Sequence, residues 1–171
     1  MGFAALAIIV QLSNIANVPT PIVREAQSEV ARVFAAAGVP IEFTAEDTVG
    51  TAPRSADDVI VRVLLLDHES GALRACADSV LGAANTTEWG TRIAWVFYRR
   101  VEEAGDQRGV RAALVLACTI AHEIGHLLGR EHSAVGLMRA RWNQHDFGRA
   151  ARSDLRFSPE EAADLRDHLS R

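Results

Sequence analysis

His122-Glu123-Ile124-Gly125-His126-Leu127-Leu128-Gly129-Arg130-Glu131-His132 sets three imidazoles and one carboxylate within eleven residues. On a helix, His122 and His126 lie one turn apart on the same face, so both rings reach a single ion. Neutral imidazole suits zinc, which accepts nitrogen donors readily. Gly129 falls where such a helix should stop, because glycine takes the left-handed conformation that turns the chain back. The turn brings His132 in from another direction and completes a three-nitrogen set. Three protein ligands leave the fourth position of a tetrahedral ion open to water, whose pKa falls toward ~7 on zinc. Glu123 points about a quarter-turn away from His122. There it can hold the water, take its proton and deliver that proton to a leaving amine.

H-E-x-x-H alone is a weak signal. With Gly129 and His132 added, chance occurrence falls to roughly one chain of this length in 10⁵ at average residue usage. The competing readings are a helix with solvated histidines and a degenerate site that binds metal without turnover.

The eleven residues resemble the zinc-binding signature of the metzincin metallopeptidases. Ser133-Ala134-Val135-Gly136-Leu137-Met138 is similar to the Met-turn of that clan, with Met138 six residues after His132. The resemblance implies that His122, His126 and His132 bind one catalytic zinc ion and that Glu123 is the catalytic base and acid. It implies that Met138 is an apolar floor under the imidazoles and not a ligand. Ser133, directly after the third histidine, is similar to matrixins. Other positions depart from the better-known families. No calcium- or structural-zinc-type loop stands between residues 67 and 90. Ala140 occupies the place of the extra tyrosine ligand of astacins and serralysins, and no cysteines follow His132 as they do in archaemetzincins. The chain resembles a minimal, atypical bacterial-type metzincin. The family's setting implies a secreted or periplasmic location.

The chain has 171 residues, enough for one domain with a real core. Its net charge of −4, with every cation an arginine and no basic stripe, excludes nucleic acid as an expected partner. Arg99-Arg100, the only basic pair, reads as a solvated strand end. No apolar run reaches the ~18 residues of a membrane span. Phe3 to Val10 lacks the preceding positive charge of a signal peptide, and reads as part of a first strand at 4–13. Cys76 and Cys118 permit one disulfide without requiring it. Cys118, one turn before His122, reads as a small buried residue and not as a fourth ligand.

The elements that must position the motif follow from local pattern. After the first strand, Thr20 should cap a helix with Pro21 at its first position, and Gly38 and Pro40 should end it. Ile41 to Thr44 is a short strand, and residues 45–57 are a polar loop. Val59 to Leu66 is a nearly unbroken apolar run, expected to be buried on both faces. A weak strand near 79–86 and a stronger one at 93–98 follow. A loop around Gly105 and Gly109 should then lead into the motif helix, 108–128. Ser158-Pro159-Glu160-Glu161 is a capping box opening a last helix whose apolar face is Ala162, Leu165 and Leu169.

The expected fold is α/β (α+β): a twisted mixed five-stranded sheet with a backing helix and an active-site helix, plus a small C-terminal subdomain ending in a helix. Residues 1–171 form a single catalytic domain, with 1–129 as upper and 130–171 as lower subdomain. By the resemblance, the strand near 79–86 is the antiparallel edge bordering the cleft, where an extended peptide could add as a further strand. Gly136 to Trp142 would wall the pocket. His68, His145 and His168 read as surface or capping histidines. The expected activity is zinc-dependent hydrolysis of peptide bonds by a monomer acting on a peptide or protein. The alternatives are a non-catalytic zinc-binding module and a zinc hydrolase of a non-peptide amide.

Overall fold

The computed structural model of the chain describes residues 7–44, 58–69 and 80–170. The loop expected at 45–57, the first residues of the first strand and Cys76 lie outside them. The order of elements is β1 (Ile8–Asn14), α1 (Thr20–Ala36), β2 (Ile41–Thr44), β3 (Val59–Leu66), β4 (Gly82–Thr86), β5 (Arg92–Phe97), α2 (Tyr98–Arg108), α3 (Ala112–Leu127), α4 (Gln144–Ala151) and α5 (Pro159–Leu169). The strands form the expected mixed five-stranded sheet in the order β2-β1-β3-β5-β4. β1, β2, β3 and β5 are parallel, and β4 pairs antiparallel with β5 at the edge.

Strand alternation decides which sheet face is covered. Val10, Leu12, Val61, Val63, Leu65, Ala94 and Val96 share a face by register and are all buried. α1 answers with Ala26, Val30, Val33 and Phe34, and packs on both β2 and α3. The opposite face is only partly covered. Arg62 is exposed there and Leu64 and Leu66 are half-buried, so β3 is not buried on both faces as its apolar run suggested. Arg62 marks the side that faces water.

α3 is buried almost all round, from Ala113 to Leu127, with only His126 half-exposed in that span. An unbroken apolar helix must be central, and α3 touches α1, α2, α4, β3, β4 and β5. Two helix starts differ from expectation. α1 has Pro19 at its N-cap with no side-chain cap bond, and Thr20 is already helical. Pro21 still sits in the first turn, where its missing N–H costs nothing.

Where a loop was expected around Gly105 and Gly109, the chain forms the helix α2, which buries Tyr98, Val101 and Gly105 at helical spacing. Gly105 does not break it. A Cβ there would lie 2.6 Å from the Val110 carbonyl oxygen, so glycine lets the chain entering α3 press against α2. Gly109, with φ +66°, ends the helix. Arg99 and Arg100 therefore open a helix, and Arg100 is not solvated. It pairs with Glu69 at 2.7 Å, donates to the Val80 carbonyl and lies over the Phe97 ring.

Two capping boxes order the C-terminal part. Ser158 and Glu161 open α5 as expected, with Ala162 and Leu165 buried. Asn143 and Asp146 do the same for α4, which the sequence reading passed over.

Candidate metal centre

α3 ends in a Schellman turn. The Gly129 N–H donates to the His126 carbonyl and the Arg130 N–H to the Gly125 carbonyl, with Gly129 at φ +79°. The chain thus reverses where expected and returns His132 toward the helix. The Arg130 guanidinium reaches Asp164 of α5 at 2.5 Å, which ties the turn to the last helix.

The three predicted ligands come together. The His126 Nε2 lies 3.0 Å from the His122 Nε2 and 3.1 Å from the His132 Nε2. Among the described residues these three alone form a group able to hold a metal ion. Two of the rings are oriented from behind by backbone: His122 Nδ1 meets the Leu137 carbonyl at 2.8 Å and His126 Nδ1 meets the Arg130 carbonyl at 2.7 Å. A carbonyl accepts only, so each Nδ1 must carry the proton, and each Nε2 is left with a bare lone pair. Lone pairs facing each other at 3.0 Å repel unless a cation lies between them. Tetrahedral bonds of ~2.05 Å place nitrogens about 3.3 Å apart, close to the spacing here. The donor set therefore fits a metal ion.

Burial favours the neutral form of His122 and His126, the form that ligates. It pushes His122 down to about 4, helped by the neighbouring His126 and His132 and opposed by the Leu137 carbonyl. His126 is lowered by burial and by His132, again against its carbonyl partner.

The turn after His132 is tight. The Ser133 N–H donates to the Met138 carbonyl, the Leu137 N–H to the Arg156 carbonyl, and Gly136 has φ +74°. Met138 is fully buried and runs under α3 at Gly125. A Cβ on Gly125 would stand 2.6 Å from the Met138 sulfur. This explains a glycine inside the last turn of α3, although glycine in a helix interior costs up to roughly 1 kcal/mol of propensity relative to alanine.

Glu123 is buried, and desolvation pushes its carboxyl up to about 8. It lies against Gly82 of β4, where a Cβ would meet the Glu123 Cγ and Oε1 at 2.9 Å and the Trp95 carbonyl oxygen at 2.8 Å. Gly82 therefore shapes the place of Glu123 and escaped the sequence reading, because the contact crosses from sheet to helix.

His122, Glu123, His126 and His132 open onto one cleft of about 570 Å³. Its walls are residues 80–84 along the β4 edge, the exposed side of α2, and Arg139 to Trp142 with Phe147. The strand borders the cleft as expected, whereas of Gly136 to Trp142 only Arg139 to Trp142 do so, since Leu137 and Met138 turn into the core. Trp142 adds an unforeseen contact: its Nε1–H donates to the same Leu137 carbonyl that orients His122, at 3.0 Å. Its ring meets His122 edge-on at 5.9 Å between centroids.

Cys118 is a buried free thiol pushed up to about 12 by burial, with Glu29 adding and Arg156 opposing. His68 is exposed and pairs with Asp67, His145 is exposed at the start of α4, and exposed His168 lies near Gly129.

No family model matches the chain, and no curated protein does. Solved structures do. A zinc-dependent peptidase from Methanocorpusculum labreanum superposes with a TM-score of 0.61 at 18% identity, covering 91% of this chain and 99% of its own. Archaemetzincin from Methanopyrus kandleri superposes with a TM-score of 0.63 at 15% identity, covering 99% of each chain. The chain has the fold of these zinc peptidases. No helix among the described residues is long and apolar enough to cross a membrane.

Proposed function

We propose that this chain is a zinc-dependent endopeptidase of metzincin type, a single catalytic domain with 1–129 above the cleft and 130–171 below it. The observation that carries the reading is the convergence of three Nε2 atoms beside a buried glutamate, at the edge of a sheet with the fold of zinc peptidases. His122, His126 and His132 would hold the ion. When bound, zinc supplies a Lewis acid that polarises a carbonyl and makes water acidic near neutral pH.

The protein's own residues do the rest. The Leu137 and Arg130 carbonyls hold two ligand rings in the tautomer that presents Nε2. Glu123, in a water-poor niche against Gly82, accepts a proton from the attacking water and returns it to the leaving amine. Met138 forms an apolar floor under the ligand-bearing turn of α3. Among the described residues β4 has a sheet neighbour only on its β5 side, and its other edge is where an extended peptide would add. Ser133 sets the chain beside matrixins in motif, whereas the absence of cysteines after His132 sets it apart from archaemetzincins.

The test is paired. Zinc content and cleavage of a diverse peptide library are measured for the native protein and for Glu123→Gln. Both should carry one zinc, and the variant should lose about 10²–10⁴-fold in kcat. A native protein that holds zinc and cleaves nothing would contradict the peptidase reading and leave the metal centre standing.

A further inference from the structure

Four arginines, Arg100, Arg108, Arg139 and Arg141, line the cleft, against Glu103 and Glu123. Three of these six charges are already answered. Arg100 pairs with Glu69. Arg139 lies 3.5 Å from Asp146 and donates to the Ala134 carbonyl. Glu103 is held by Arg99 at 3.4 Å. Arg108 and Arg141 have no carboxylate partner among the described residues. A chain of net charge −4 thus turns unneutralised positive charge into its cleft.

Arg108 is the better placed of the two. It is the last residue of α2, where the Gly109 turn fixes its backbone. Its guanidinium lies 4.9 Å over the ring of Phe147. Phe147 is buried and meets Trp142 edge-on at 6.1 Å, and Trp142 meets His122. An unbroken aromatic wall therefore runs from a metal ligand to a cation. The guanidinium N–H groups of Arg108 have no partner among the described residues, and a guanidinium matches a carboxylate bidentately.

We propose that this cleft selects a substrate residue bearing a carboxylate side chain, with Arg108 as the specificity-determining residue. The inference rests on the peptidase reading above. The aromatic wall takes the methylenes of the incoming side chain, and the exposed guanidinium of Arg108 meets the terminal carboxylate at the rim of that wall. An arginine or lysine at the same position would meet like charge.

Two measurements test it. In a peptide library randomised on both sides of the cleaved bond, one position should be enriched in Glu or Asp. The ratio of kcat/KM for a Glu peptide over its Gln counterpart should fall about threefold in Arg108→Gln, the scale of one solvent-exposed charge pair. It should hold in Arg24→Gln, which removes the same charge from α1 outside the cleft. The second measurement needs no turnover: calorimetric Kd values of the Glu and Gln peptides on zinc-loaded Glu123→Gln, with and without Arg108→Gln. Equal affinity for the two peptides overturns the inference even if nothing is cleaved. So does an acidic preference that survives Arg108→Gln, or a fall in Tm with an unchanged ratio, since Arg108 would then only complement the α2 helix end. Failure of all cleavage with zinc bound speaks against the peptidase reading alone.

Discussion

α2 and α3 both line the cleft, and they are built on opposite rules. α3 is buried on nearly every side, and its polar residues point at one place. α2 buries one narrow stripe, Tyr98, Val101 and Gly105, and leaves its charges other than Arg100 in water. The enclosed helix can hold imidazoles and a carboxylate in single orientations and strip them of water. The exposed helix can vary its charges without disturbing the core. Chemistry is assigned to the first, and contact with the rest of a substrate to the second.

The sharpest way to break this contrast is at α3 itself. His126→Ala removes the nitrogen central to the group of three, and its zinc should be lost on dialysis with activity down by 10³-fold or more. Elemental analysis reads this directly, and a variant that kept full zinc would erase the distinction between the helices. Val101→Ala on α2 should cost about 2 kcal/mol of stability from lost burial and a small cavity, yet leave zinc stoichiometry at one. Urea unfolding with parallel metal analysis separates the two effects.

Gly125→Ala sharpens the comparison from within α3. The added methyl meets the Met138 sulfur and the Phe157 ring. Overpacking of about 1–3 kcal/mol should outweigh the gain in helix propensity and lower activity through the displaced floor. An alanine variant that is more stable and fully active would show that Met138 yields freely. Cys118 gives the smallest functional effect. With its pKa pushed up to about 12 it remains a neutral, buried thiol at pH 8. Mass spectrometry should find it unalkylated in the folded protein and alkylated in urea.

The same contrast explains what was legible in the sequence. Ligand spacing is a property of one helix, so His122, His126 and Glu123 could be read together, and Gly129 announced the turn that returns His132. The five strands showed through apolar runs and turn residues, although β3 needed Arg62 to reveal its wet face. α2 was hidden because its stripe holds a glycine, and glycine inside a charged segment reads as a break. Its role there depends on the Val110 carbonyl, which no local pattern contains. Gly82 was hidden for the same reason, since Glu123 reaches it across the sheet edge. The Leu137 and Arg130 carbonyls were invisible because backbone acceptors carry no residue type. The α4 capping box was readable, since Asn143 and Asp146 stand at the same spacing as Ser158 and Glu161.

X-ray absorption at the zinc edge of the purified protein tests the central claim most directly. The account predicts one zinc per chain with three imidazole nitrogens at ~2.0–2.1 Å and a light-atom fourth neighbour. Less than a tenth of a zinc per chain after loading, or a sulfur ligand at ~2.3 Å, would contradict it.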